Sequence, residues 1–277
     1  MRHGHSVRTI AVTSGKGGVG KTNVVANLAI ALQRLGKKVL VFDADLGLCN
    51  IDVLLGLNPQ FNISHIFSGQ KTLREVLIEG PDGILILPAS SGMEELTNLD
   101  EFQRLRLLDE FETLDLDIDF LLIDTSAGVS SNVTFFCIAV QEKVVVVTPE
   151  PTSLTDAYAL VKVLNTRYDE KDFSVLVNNV KGPEEAISVF KTLQRATERF
   201  LNLSLDYLGF IPADPNIPKA VRHQKPVLLY NPQSPSSRAF LDISKRINNY
   251  NGVKTKSNVQ LFFSSLLGVK EDAIQRV

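Results

Sequence analysis

Gly15-Lys16-Gly17-Gly18-Val19-Gly20-Lys21-Thr22 is the stretch whose reading decides the fold. It satisfies G-x-x-x-x-G-K-[ST], the phosphate-binding loop, and it carries an additional lysine, Lys16, near its start. The flanks fit. Thr9–Thr13 reads as a short buried strand, and Asn23 to Leu35 reads as a helix with Val24, Leu28, Ala31, Leu32 and Leu35 on one side. In the order strand, glycine loop, helix, the glycines let backbone N–H groups approach phosphate oxygens, and the helix N-terminus adds a favourable dipole. Lys21 is placed to reach β- and γ-phosphates, and the Thr22 hydroxyl to ligate Mg²⁺. Gly15, Lys16, Gly17, Gly18, Val19 and Gly20 form the rest of the cradle.

Working outward, apolar runs recur and stop at polar residues. Val39–Phe42 ends at Asp43, Ile84–Leu87 at Pro88 and Phe120–Ile123 at Asp124. Val144–Val147 ends at Thr148, Phe173–Val177 at Asn178 and Tyr207–Ile211 at Pro212. Runs of this length, rich in Val and Ile, suit strands buried on both faces. Helical stretches are expected over 101–111, 156–165, 184–200 and 238–249. The alternation predicts an α/β fold with a doubly wound, mostly parallel sheet covered by helices on both faces. No internal repeat stands out. Residues 7–250 form the expected nucleotide domain, followed by a linker and C-terminal segment over 251–277.

In such a sheet the ligand sits at the carboxyl ends of the strands. Asp124 follows four apolar residues, as expected for an aspartate that holds Mg²⁺ through water, and Asp43 is a second candidate ligand. Asp45 is the candidate for orienting the attacking water. Taken singly, each is also what a strand-end capping aspartate looks like. Asn178-Asn179-Val180-Lys181 offers amides where a guanine site needs a carboxylate. An amide both donates and accepts, which favours adenine.

Composition narrows the class further. The chain has 277 residues, 44% hydrophobic, with a formal net charge of −2 and a pI of about 6.1. No global basic field recruits nucleic acid, although a local basic patch is not excluded. Cys49 and Cys137 form no C-x-x-C pair, and Met1–Ser6 lacks an apolar signal region, so a reduced, cytoplasmic location is expected. His3 and His5 lie in that terminus and read as inert. No apolar run approaches the ~18 residues of a spanning helix. Near the C-terminus, Val259, Phe262, Phe263, Leu266 and Leu267 follow an i, i+3, i+4, i+7, i+8 pattern after Lys254 and Lys256. This is an amphipathic helix that either lies in a bilayer interface or docks on the protein's own body.

These residues carry a family resemblance. Lys16–Thr22 resembles the deviant phosphate loop of the MinD/ParA ATPases. Residues 43–56, Asp43-Ala44-Asp45 through Asn50 to Gly56, resemble their first switch, and Asp124-Thr125-Ser126-Ala127-Gly128 the second. Glu150-Pro151-Thr152-Ser153-Leu154-Thr155-Asp156-Ala157-Tyr158 is similar to the flagellar-number regulators of the FleN/FlhG branch. The resemblance runs from about Val7 to Phe263. It implies a slow, regulatory ATPase that dimerises with ATP. Lys16 would cross the interface to the partner's nucleotide, Asp45 would position water, and Asn50, Glu150 and Asp156 would lie at the interface. Asp156 would hold Lys16 at rest, and Asn178, Pro212 and Asp214 would contact adenine. The implied partners are a second copy, a FleQ-like transcription activator, the inner-membrane surface and the GTPase FlhF. The glutamine-containing motif with which some FlhG proteins stimulate FlhF is not found among the first six residues, so the activator is the more direct inference. Sequence-specific DNA binding is not expected. Two other classes share the loop: a DNA-partitioning ATPase, which needs a basic surface, and an iron–sulfur carrier, which needs cysteine pairs at a dimer interface.

Overall fold

The computed structural model describes residues 7–45, 51–88, 110 and 117–250. The expected helix over 101–111, apart from Glu110, together with Asn50, Cys49, and the tail with Val259, Phe262, Phe263, Leu266 and Leu267, lies outside the described residues.

Strands β1 (Arg8–Ser14), β2 (Val39–Ala44), β3 (Ile78–Glu79), β4 (Leu85–Leu87), β5 (Phe120–Ala127), β6 (Glu142–Val147), β7 (Phe173–Val180) and β8 (Asp206–Pro212) form one sheet. Their order is β3-β4-β2-β5-β1-β6-β7-β8. All neighbours pair in parallel except β3, which pairs antiparallel with β4 at one edge. From β1 the chain first winds to one side, then returns to the other. The loop after β1 therefore opens at the point where the winding reverses, which is where such sheets bind ligands.

The continuous apolar runs have a simple cause. Alternate residues point to opposite faces, and both faces are covered. Ile10, Val12, Val41, Leu122, Val144 and Val146 join one core, with helix α1 (Lys21–Arg34). Ala11, Phe42, Leu121, Ile123, Val145 and Val147 join the other. The remaining helices are α2 (Ile51–Leu55), α3 (Ile63–Phe67), α4 (Leu73–Val76), α5 (Ser131–Ala139), α6 (Pro151–Tyr168), α7 (Pro183–Leu201), α8 (Asn216–Arg222), α9 (Val227–Tyr230) and α10 (Pro235–Asn249).

Local chemistry sets several helix ends. Proline occupies the first turn of α6, α7 and α10, where its missing N–H and fixed φ carry no penalty. Asp169 and Asn202 close α6 and α7 in the left-handed conformation. At its start α10 is capped by Ser234, which accepts from Ser237 N. At its end the carbonyl of Ile247 accepts from Arg8. Arg8 also grips Glu142 with both arms of its fork, at 2.8 and 2.7 Å. Thus α10 spans the domain, roughly 22 Å at 1.5 Å per residue, from the carboxyl ends of the strands to their amino ends.

Asn27 joins α1 to α9. Its side chain donates to Asn23 O at 2.7 Å and accepts from Leu228 N at 3.0 Å, and Asn27 and Leu228 are both buried. Asn27→Ala should leave the Leu228 N–H buried without an acceptor and destabilise the domain by about 1–3 kcal/mol. Equilibrium urea unfolding measures this, and an unchanged midpoint would show that the bond holds nothing together.

Candidate nucleotide site

The loop between β1 and α1 has the form expected. Gly20 sits at φ 93° as the N-cap of α1, and a Cβ there would meet Asn178 Nδ2 at 2.6 Å. Gly15 is required by proximity instead: a Cβ would lie 2.0 Å from the Asp156 carbonyl carbon. The backbone of α6 therefore rests directly on the loop. Ser14 Oγ donates to Lys16 O at 2.7 Å, and Gly128 N donates to Ser14 O at 2.9 Å, which ties the second switch segment to the start of the loop.

Two carboxylates stand beside it. Asp43 and Asp124 are paired in register at the ends of β2 and β5, and both are essentially excluded from water. Asp43 accepts from Asp45 N at 3.2 Å and from Ile51 N at 3.3 Å. Burial pushes its carboxyl up to about 6 in spite of those bonds. Asp124 is pushed up to about 7, by burial first and by Asp43 second; Thr22 and Lys21 pull the other way and offset only part. Neither Asp124 oxygen is in hydrogen-bond geometry with a donor among the described residues. Lys21 is also buried. Desolvation lowers its pKa, and the charges of Asp124 and Asp45 raise it in part.

A buried carboxylate whose oxygens lack donors among the described residues, beside a hydroxyl, supplies the oxygen ligands of a hydrated divalent cation, and the nearby ammonium suits the phosphates. Thr22, Asp124 and Asp43 fit Mg²⁺ in this way. When bound there with nucleotide, Mg²⁺ neutralises charge on the phosphate oxygens. Lys21 sits at the start of α1 where the phosphates enter. Asp45 lies within electrostatic range of Lys21.

The other expected residues are distributed differently from the sequence reading. Lys16 Nζ is bound by Glu150 and by Thr152 Oγ1 at 2.8 Å. Asp156 does not hold it in this structure: its backbone carries α6 against Gly15, and Glu150 and Thr152 sit at the start of that helix, facing the lysine. Asn178 donates to Val19 O at 2.7 Å and accepts from Asn179 N at 2.9 Å. One N–H and one lone pair remain for a base, and the other two groups position the loop. The Asp214 carboxylate is engaged within the protein. It accepts from Asn216 N at 2.8 Å and Asn216 Nδ2 at 2.7 Å, and from Ser236 N at 3.2 Å and Ser236 Oγ at 2.5 Å. Burial alone would raise this group, but the bonds from Ser236 and Asn216 hold it down at about 2. Pro212 ends β8 beside Val180, and Ala213 N donates to Val180 O at 2.7 Å. Pro212 thus shapes the loop through the backbone. Thr152 is the functional side chain that sequence reasoning missed; a hydroxyl two residues after Glu150 carries no periodic signal.

Cys137 lies buried in α5. Burial pushes its thiol up to about 12, the opposite of what cluster ligation requires. Among the described residues no group of three or more His, Cys, Asp or Glu could hold a metal on its own. The Mg²⁺ set above uses only two carboxylates and needs the phosphates to complete it.

The raised carboxylates set a pH dependence. The folded protein holds these protons up to about 6 and about 7, whereas the reference carboxyl releases its own near 3.8. Between those values the native state binds more protons, so nucleotide-free stability should fall as pH rises through that window. Asp124→Asn should flatten the fall and raise the melting temperature above pH about 7. Melting curves across pH check this, and a stability that climbs through the window would refute burial as the dominant cause.

With this geometry in place, similarities to known proteins become interpretable. Residues 10–227 match the family model described as the CobQ/CobB/MinD/ParA nucleotide binding domain. The antiactivator FleN of Pseudomonas aeruginosa is 44% identical over 89% of this chain and 88% of its own. The flagellum site-determining protein YlxH of Helicobacter pylori is 37% identical over 79% and 74%. The septum site-determining protein MinD of Pyrococcus horikoshii, solved with Mg-ADP, superposes with a TM-score of 0.70 at 27% identity, covering 91% of this chain and all of that one. The paired strand-end aspartates, the glycine loop with its second lysine and these relationships agree: the chain belongs to the CobQ/CobB/MinD/ParA nucleotide-binding family, in the branch that contains FleN, and is one of its ATPases.

Proposed function

We propose that this protein is an ATP-dependent dimerising switch that sets flagellar number and placement by restraining a FleQ-like transcription activator, at the inner membrane surface when ATP is bound. The observation that carries the reading is the state of Lys16. A second lysine in a phosphate loop has no role toward its own nucleotide that Lys21 does not already fill. Here its ammonium rests on Glu150 and Thr152, with the two ionic side chains 34% and 63% exposed. An exposed pair of this kind contributes about 0–1 kcal/mol. A γ-phosphate on an apposed copy offers a stronger, partly desolvated partner, so a lysine held this weakly is ready to transfer. ATP would then join two copies, and hydrolysis would release them.

In that cycle Asp45 positions the attacking water, Lys21 and the loop amides bind the phosphates, and Thr22, Asp43 and Asp124 hold Mg²⁺. The names of the relatives, an antiactivator and a flagellum site-determining protein, support the biological assignment. FlhF is a further partner in this reading. The tail supplies membrane affinity: one copy with five large apolar residues binds weakly, and two on a dimer bind well through effective concentration.

Asp45→Ala should retain ATP and Mg²⁺ and trap a dimer. Light scattering should show a monomer with ADP and twice that mass for Asp45→Ala with ATP. A mass independent of nucleotide would remove the switch. Truncation before Val259 should abolish sedimentation with anionic liposomes and leave nucleotide binding intact; unchanged sedimentation would return the tail to a docking role.

A further inference from the structure

The surface carries a charge concentration that the ATPase cycle does not use. Between Asp214 and Asp242 the sequence has Lys219, Arg222, Lys225 and Arg238 and no carboxylate, in a chain of net charge −2. Lys219, Arg222 and Lys225 are all exposed on α8 and the turn after it, and none has a carboxylate partner among the described residues. The turn is rigid. Gln224 adopts φ 52°, Lys225 N donates to Ala220 O at 3.1 Å, and the His223 ring lies against Lys219 O at 2.8 Å.

This corner is attached to both elements that leave the nucleotide site. Leu228, just beyond it, donates to Asn27 of α1, the helix that begins at Lys21. On the other side Gln224 Nε2 donates to Val53 O at 3.1 Å, and Gly56 packs on the Gln224 side chain. Val53 belongs to α2, whose first N–H, at Ile51, is bound by Asp43. A change in what Asp43 holds therefore bears on α2 and, through one hydrogen bond, on the basic corner. Val53 is 58% exposed and Val221 is 39% exposed, so the cations are flanked by open apolar groups.

We propose that the Lys219–Lys225 corner with Val53 is a docking surface for an acidic, partly apolar segment of a partner protein, and that the nucleotide state tunes its affinity through Gln224. Charge complementarity selects an acidic partner, and the interspersed valines suit a protein segment. Three cations are too few for the six to ten phosphate contacts of firm duplex binding. A membrane surface is the less suited partner, because Val53 and Val221 are only two open apolar groups beside the cations. The proposal rests on the switch reading above for its nucleotide dependence.

The test uses the full chain and a fluorescein-labelled peptide of alternating Glu and Leu, followed by anisotropy with ADP and with a non-hydrolysable ATP analogue. The combined substitution Lys219→Glu, Arg222→Glu, Lys225→Glu should weaken binding roughly tenfold or more, with ATP hydrolysis and ATP-dependent mass unchanged. The corresponding Gln variants should weaken it less and guard against misfolding. Gln224→Ala should keep peptide affinity but abolish the difference between nucleotides. Equal affinity in the charge-reversed protein, or a patch-dependent loss seen only with phosphatidylglycerol vesicles or duplex DNA, would overturn the assignment. If mass proves independent of nucleotide while peptide binding follows the patch, the switch reading fails and the docking surface stands. If mass responds and the patch does nothing, the reverse holds.

Discussion

Two carboxylates and one ammonium are held out of water at the end of a parallel sheet, and much of the site follows from that crowding. Asp43 and Asp124 are neighbours because β2 and β5 pair in register, and Lys21 offsets part of the charge at Asp124. The cluster is one positive charge short even before Asp45 is counted. A triphosphate entering alone would add repulsion to a region already unfavourable for ions. With a divalent cation the balance reverses, because the cation neutralises both the carboxylates and the incoming oxygens. The crowding favours entry of Mg²⁺ together with nucleotide, and the carboxyls raised by burial to about 6 and about 7 reflect the same crowding.

The second lysine lives by a different balance. Lys21 is buried and cannot exchange partners without large cost. Lys16 is exposed and bound to exposed groups, so its present contacts lie in a shallow well. What is not shallow is the packing beneath it. Gly15 admits the α6 backbone at a distance no side chain would allow, which fixes Glu150 and Thr152 relative to the loop. An exposed charge over a closely packed base suits the proposed switch, in which only the lysine would have to move.

Much of this was legible in the sequence because its physics is local. The loop glycines, the strand-end aspartates and the apolar runs declare themselves through spacing, and seven of the eight strands lie where those runs are. The misses share a cause. β3 is two residues long and antiparallel, too short to show a period. In α5 nearly every residue is apolar or small, so no stripe marks it. The bonds that engage Asp214 from Ser236, 22 residues on, and Asn178 with Val19, 159 residues back, are equally out of reach of local pattern. Lys16 found Glu150 and Thr152 rather than Asp156 because helix geometry, not residue type, decides which oxygen faces it. Function could be read from residue kinds; partnerships needed the fold.

The two ends of the domain are mechanically unequal. α10 is fixed at its start through Ser236 to Asp214 and at its end through Ile247 to Arg8, whose fork is itself bound to Glu142. Two charge-assisted bonds hold its start and one its end, and Phe240, Ile243 and Ile247 are buried along it. A helix held in this way transmits position, not change. The corner after α8 is different: its tie to α2 is one amide–carbonyl bond at an exposed carbonyl, of order 1 kcal/mol. Ligand-driven rearrangement follows the connections that are cheapest to break. At the carboxyl ends of the strands, the Lys16 pair and the Gln224 contact are two such connections.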